Sequence, residues 1–143
     1  MIAKIEIEIK DTAPRLRVYT MHSLAKAVCT AFCVSKEEFF SNNRPAYLTT
    51  PRHAFYYLAY RHCDQSTPQI GRFMNGRDHT TIIHGNKKCA AMKAKNDKFA
   101  LKLEEAHLLA LEFEKERNNQ IEDMRNTILD RVEEITGKET YDI

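Results

Sequence analysis

From Thr20 onward the apolar residues of this 143-residue chain recur every three to four positions, and the recurrence is broken repeatedly by residues that start or stop helices. Leu24, Ala27, Val28, Ala31 and Phe32 share one helix face up to about Cys33. Ser35-Lys36-Glu37-Glu38 reads as a capping box opening a short helix that ends near Phe40. Ser41 to Tyr47 is turn-rich and, with Pro45 inside it, reads as an exposed loop. Thr50 then suits an N-cap and Pro51 the first helical position of a helix burying Ala54, Phe55, Leu58, Ala59 and His62. Ser66 or Thr67 caps a short helix holding Pro68, Ile70, Gly71 and Phe73, Asn75-Gly76 ends it in a left-handed turn, and Asp78 caps the next. A short helix, a tight turn and a second helix opening on polar side chains form the pattern of a helix-turn-helix. From Asn96 or Asp97 the period continues through Phe99, Leu103, Ala106, Ala110 and Phe113, then Ile121, Met124, Ile128, Val132 and Ile135. Asn118-Asn119 is a candidate break, and Gly137 a stop signal.

Before Thr20 the period is two. Ile5, Ile7 and Ile9 alternate with charged residues, as do Leu16 and Val18, across an Asp11-Thr12-Ala13-Pro14 turn, which predicts a short β-hairpin over residues 1–19. The expected architecture is therefore mainly α: the hairpin, a helical body over residues 20–95, and a helical tail over 96–143 that forms one long helix or a helical hairpin.

Charge is divided unevenly. Residues 1–98 carry 16 Lys and Arg against 8 Asp and Glu, a net +8, whereas residues 99–143 carry 6 against 12, a net −6. A basic body is the footprint of a polyanion binder, although both signs also serve simply to solvate helix faces. No window approaches the length of apolar sequence a membrane span needs, and the N-terminus has no signal-peptide core, so a cytoplasmic protein is expected. Cys29, Cys33, Cys63 and Cys89 fall within apolar helical patterns and read as reduced core thiols.

The segment Ser66-Thr67-Pro68-Gln69-Ile70-Gly71-Arg72-Phe73-Met74-Asn75-Gly76-Arg77-Asp78-His79-Thr80-Thr81-Ile82-Ile83-His84 closely resembles the signature of the C-terminal DNA-binding domain of the bacterial replication initiator DnaA. Gly76-Arg77-Asp78-His79-Thr80-Thr81 is its most diagnostic part. The resemblance runs from about Leu24 to Cys89, roughly half the chain, and implies an all-helical helix-turn-helix domain. Only about twenty residues precede the first matching helix, so the initiator's upstream ATPase domain is not expected here. Gly71 and Gly76 have the spacing of a P-loop, but Arg77-Asp78 stand where Lys-Ser/Thr is required, which rejects a nucleotide site.

The residues themselves suit base reading. A helix N-terminus in the major groove points its first side chains at base edges, while its free amides favour phosphate. Asp78 can accept from a cytosine amino group, His79 can donate to a purine acceptor or pack on a thymine methyl, and Thr80 and Thr81 each offer a methyl and a hydroxyl. By family analogy Asp78, His79 and Thr80 read bases, and Thr81 contacts base or backbone. The resemblance likewise places Arg44 at a minor-groove position and Pro68 close to DNA. Arg52, Arg72, Arg77, Lys87 and Lys88 are candidates for backbone phosphates.

There are departures from the family pattern. Asn42, Asn43, Pro45 and Ala46 surround Arg44 where the family loop is rich in cations, Tyr60 takes a basic position, Thr67 an apolar one, and Asn75 a common glycine. Each lost cation removes part of the counterion-release contribution, so affinity or preferred sequence is expected to differ. Cys29 and Cys33 with His62 or His84 do not make a convincing metal set; His62 and His84 read as core-edge histidines, and no catalytic constellation has local support. The chain is thus expected to be a sequence-specific binder of double-stranded DNA at DnaA-box-like sites. Its expected role is replication control or transcription regulation, without enzyme activity, cofactor or nucleotide. The alternative is an interaction or decoy factor acting on a resident initiator through its tail. Residues 99–143 are the candidate homodimer element.

Overall fold

A computed structural model describes residues 17–141, with side chains through residue 136. Six helices follow one another: α1 (Met21–Phe32), α2 (Lys36–Phe40), α3 (Ala46–His62), α4 (Thr67–Phe73), α5 (His79–Lys95) and α6 (Asp97–Tyr141). Among the described residues there is no strand, which corrects the expected N-terminal β-hairpin. Arg17 to Tyr19, expected within its second strand, form an irregular lead-in whose Val18 and Tyr19 N–H groups both donate to the His62 carbonyl at the end of α3. Tyr19 is fully buried there and its hydroxyl is hydrogen-bonded to His107 Nδ1 of α6 at 2.8 Å, so the alternation served to plug a core rather than to build a ladder. The rest of that prediction, residues 1–16, lies outside the described residues.

Capping explains most boundaries. Thr20 accepts from the Ser23 N–H at the start of α1, and Cys33 closes that helix in the left-handed region at φ 56°. Ser35 accepts from the Glu38 N–H, but the Glu38 carboxylate takes the hydroxyls of Ser35 and Tyr47. Ser66 and Gln69 form a complete reciprocal capping box on α4. The start of α3 differs from the sequence reading: it begins at Ala46, so the loop ends at Pro45 and Pro51 sits inside the helix with its ring buried. The missing Pro51 N–H deprives only Tyr47, in the first turn, of its intrahelical partner.

The core joins all six helices. Phe39, Phe55 and Phe73 link α2, α3 and α4, with Phe55 and Phe73 stacked at 5.6 Å and Phe39 edge-on to Phe55 at 5.6 Å. Ile70, Met74, Ile82 and Cys89 carry it beneath the helix-turn-helix. Three of the four cysteines are core thiols, with burial pushing Cys29 up to about 11 and Cys63 and Cys89 up to about 12; Cys33, by contrast, is exposed at its helix end.

The tail is one helix, unbroken through Asn118-Asn119 and through Gly137. Its first half belongs to the body. Phe99, Leu103, Ala106 and Ala110 are buried in the same core as α1, and Phe113 packs under the Lys26 ammonium at 4.4 Å. Glu114, 6% exposed, fastens it: one carboxylate oxygen accepts from the Thr20 N–H at 2.8 Å, the Thr20 hydroxyl at 3.0 Å and the Ser23 hydroxyl at 2.8 Å. Burial works against that charge, yet these donors and the nearby Arg117 outweigh it and hold the carboxyl below its usual value. Every residue from Lys115 to Thr136 is exposed, a stretch of about 33 Å at the helical rise.

Candidate nucleic-acid interface

Gly71 sets the turn between α4 and α5. Its carbonyl accepts from the Arg77 N–H at 2.9 Å, and a Cβ at this position would lie 2.1 Å from the Arg77 carbonyl oxygen, so α4 can approach the turn this closely only as glycine. Asn75 and Gly76 carry the chain round with φ of 64° and 77°. Asp78, at the N-cap of α5, is extended and makes no side-chain cap hydrogen bond. Its carboxylate instead accepts from the Thr80 hydroxyl at 2.7 Å and lies 3.0 Å from His79 Nδ1. The Thr80 bond chiefly, with His79 adding to it, holds the Asp78 carboxyl below its ordinary value.

The opening of α5 therefore displays Asp78, His79, Thr80 and Thr81, all exposed, while Ile82, Gly85 and Cys89 bury the opposite face. Lys87 and Lys88 are exposed further along α5. His84 is exposed as well, not at the core edge as expected, because it shares the solvent face with the lysines. Pro68 and Arg72 are exposed on α4.

Arg44 stands exposed in the short loop between α2 and α3. The loop is held from behind by Arg52, which is only 6% exposed. Its Nε donates to the Phe39 carbonyl at 3.0 Å, Nη1 to Asn43 at 2.7 Å, and Nη2 to Glu38 and Ser41, both at 2.9 Å. Four of the five guanidinium donors are thus committed to backbone. Arg77 adds a second brace, donating to Met74 and, across the gap, to Ser41 at 2.9 Å. Asn75 supplies a third through the Phe40 carbonyl and the Asn42 side chain. The loop and the helix-turn-helix turn consequently form one rigid edge.

Between them lies an open cleft of about 450 Å³, whose lining includes Arg44, Arg52, His53, Arg77, Asp78 and Thr81. Sequence reasoning missed His53, Thr49 and Tyr56 here, though a signal existed: Thr49, Arg52, His53 and Tyr56 fall at i, i+3, i+4 and i+7, one polar-aromatic stripe along α3. It also missed the bracing by Asn75, whose left-handed backbone was legible and whose amide contacts were not. Among the described residues no three His, Cys, Asp or Glu side chains gather as a metal site, and no helix is long and apolar enough to cross a membrane.

This arrangement is that of a helix-turn-helix domain with an exposed first turn on its second helix and, beside it, a braced loop that carries Arg44. Residues 21–89 match the family described as the bacterial dnaA protein helix-turn-helix. The chain is 35% identical over 80 residues to the chromosomal replication initiator protein DnaA of Herminiimonas arsenicoxydans, covering 56% of this chain and 17% of that protein. The DnaA of Bordetella pertussis is 34% identical over 76 residues, covering 53% and 16%, and that of Leptothrix cholodnii 32% over 80, covering 56% and 16%. The body of the chain thus resembles the C-terminal helix-turn-helix domain of DnaA, and the chain spans about a sixth of the length of these relatives.

Proposed function

We propose that the protein binds double-stranded DNA sequence-specifically at sites resembling the DnaA box, with Asp78, His79, Thr80 and Thr81 reading bases in the major groove and Arg44 entering the adjacent minor groove. One observation carries the reading: four exposed side chains able to address base edges stand on the first turn of a helix whose other face is locked in the core. The exposed cations Arg72, Lys87 and Lys88 serve as phosphate contacts; Arg77 and the remaining donor of Arg52 join them from the cleft. Pro68 lies against the backbone. Gel shifts of a DnaA-box duplex and a scrambled duplex at matched salt test this, and equal or absent binding to both defeats it. His79→Ala or Thr80→Ala should lose ~1–3 kcal/mol on the right site alone, whereas Lys87→Ala should weaken all duplexes alike and flatten the salt slope. Identical behaviour of His79→Ala and Lys87→Ala would refute the division of roles.

The biological setting we infer is replication control or transcription regulation, with competition for a resident initiator's boxes as the variant in which the tail docks that protein. Genome-wide binding and its overlap with the initiator's sites separates these.

A second reading concerns the tail. The buried stripe of α6 continues on the same face as Ile121, Met124, Ile128, Val132 and Ile135, all exposed by 44% or more. We propose that this distal half pairs two copies and places two recognition helices on one duplex. Leu103, Ala106, Ala110 and Phe113, first expected in the dimer stripe, pack against their own body, so residues 115–136 remain. Light scattering of the full chain decides it, and a monomer at tens of micromolar ends it.

A further inference from the structure

On the reading above, the strand of sugar-phosphate that separates a major groove read by α5 from a minor groove read by Arg44 passes over the cleft that Arg44, Asp78 and Thr81 all line. His53 lines that cleft from α3. It is half-buried, its ring packs on Tyr56 at 6.2 Å and against the bare Gly85 of α5, and it makes no hydrogen bond to any described residue.

We propose that His53 is a backbone-phosphate ligand that takes up a proton when DNA binds, so that affinity for the duplex depends on pH. The inference rests on the DNA-binding reading above and deepens it by naming a titrating contact within that interface.

The surroundings fit a group that is neutral alone and cationic when an anion arrives. From α3 it has Arg52 and Tyr56 beside it; from α5, Lys88 and Thr81; from the turn, Arg77 and Asp78; and from the loop, Arg44. Asp78 is the one carboxylate in the cleft lining, and it is already engaged by Thr80 and His79. Burial first, and Lys88 second, keep the imidazole below its ordinary value of 6.5. A phosphate laid across the cleft reverses the balance by supplying the missing negative charge and an acceptor for the ring N–H. The bound form then holds its proton to higher pH than the free form. The extra affinity is complete below the free value and is lost as pH rises through the bound value.

The test measures duplex affinity of the full chain by fluorescence anisotropy at pH 6.0 and pH 8.0 at constant ionic strength, for the wild type and for the non-titrating variant His53→Gln. Every other titrating group is common to both proteins, so the readout is the difference between their affinity ratios. The wild-type ratio should exceed that of His53→Gln by at least about twofold, the ceiling being about tenfold for a rise of one pH unit on binding. Equal ratios overturn the inference. A proton NMR titration of the wild type, free and with duplex, gives the same answer if the variant fails to fold: the His53 midpoint must rise on binding, and an unmoved midpoint overturns it. Absence of duplex binding at every pH instead overturns the reading on which it rests.

Discussion

Replacing Gly71 by alanine isolates what the helix-turn-helix turn contributes. The new Cβ would stand 2.1 Å from the Arg77 carbonyl oxygen, where Cβ atoms essentially never come within 3.0 Å, so the turn must retreat by about 0.9 Å. The obstacle is backbone and cannot rotate away. Overpacking of this kind costs about 2 kcal/mol and the weakened Arg77 N–H to Gly71 bond about 1 kcal/mol, against which alanine in α4 returns about 1 kcal/mol of helix propensity. The net expectation is about 2 kcal/mol of lost stability, which lowers the urea midpoint by about 1 M for a chain of this size. A displacement near 1 Å also exceeds the width of the hydrogen-bond window, so the first turn of α5 should lose at least about tenfold in affinity for its preferred duplex and little for a scrambled one. Gly76→Ala is the control: nothing lies within 4 Å of its Cβ position, and its φ of 77° costs about 1 kcal/mol without moving α5. An unchanged or higher urea midpoint for Gly71→Ala would refute the claim that this contact fixes the turn.

Three further perturbations address the supports. Glu114→Ala strips three donors of their shared acceptor and should cost about 2–4 kcal/mol, lowering Tm by about 10–20 °C. Because the folded Glu114 carboxyl lies below its ordinary 4.5, its contribution is complete above that pH and fades as pH falls through the folded value, so a Tm-against-pH series should be flatter below pH 4.5 in the variant. Arg52→Lys should fail to rescue Arg52→Ala in thermal unfolding, both losing about 2–4 kcal/mol, since one ammonium cannot span the carbonyls of Glu38, Phe39, Ser41 and Asn43. Arg44→Ala should leave Tm within about 1 °C while weakening A·T-flanked duplexes more than G·C-flanked ones, as anisotropy with paired duplexes would show.

The sequence announced what depends on neighbours in the chain and hid what depends on neighbours in space. Ser66 and Asn75-Gly76 mark the helix-turn-helix to within a residue because each acts through its own local backbone, and Asp78 stands at the N-cap as read although its side chain bonds Thr80 instead of capping. Pro51 misled because its fixed φ favours a first turn, whereas a buried ring and a start at Ala46 settle it deeper in α3. Alternation around Val18 and Tyr19 misled for the opposite reason: a period of two over three residues is equally the trace of a side chain dropping into a gap between α3 and α6. At the site, the exposed Asp78, His79, Thr80 and Thr81 were legible from the motif. The carbonyl-bound state of Arg52 was not, since a buried cation satisfied by four backbone oxygens leaves no local mark.

Asn96 is the single residue between α5 and α6: its backbone N–H closes the first on Met92, and its side chain accepts from the Phe99 N–H to open the second. A joint this short, with the first half of α6 packed along α1 from Phe32 to Thr20, has no hinge. If α5 enters a groove as proposed, the projecting end of α6 becomes the hand of a clock whose dial is the duplex. Moving that proposed site by about 5 bp, half a helical turn, would carry the tip to the opposite side of the DNA and present its exposed apolar stripe with a different phase.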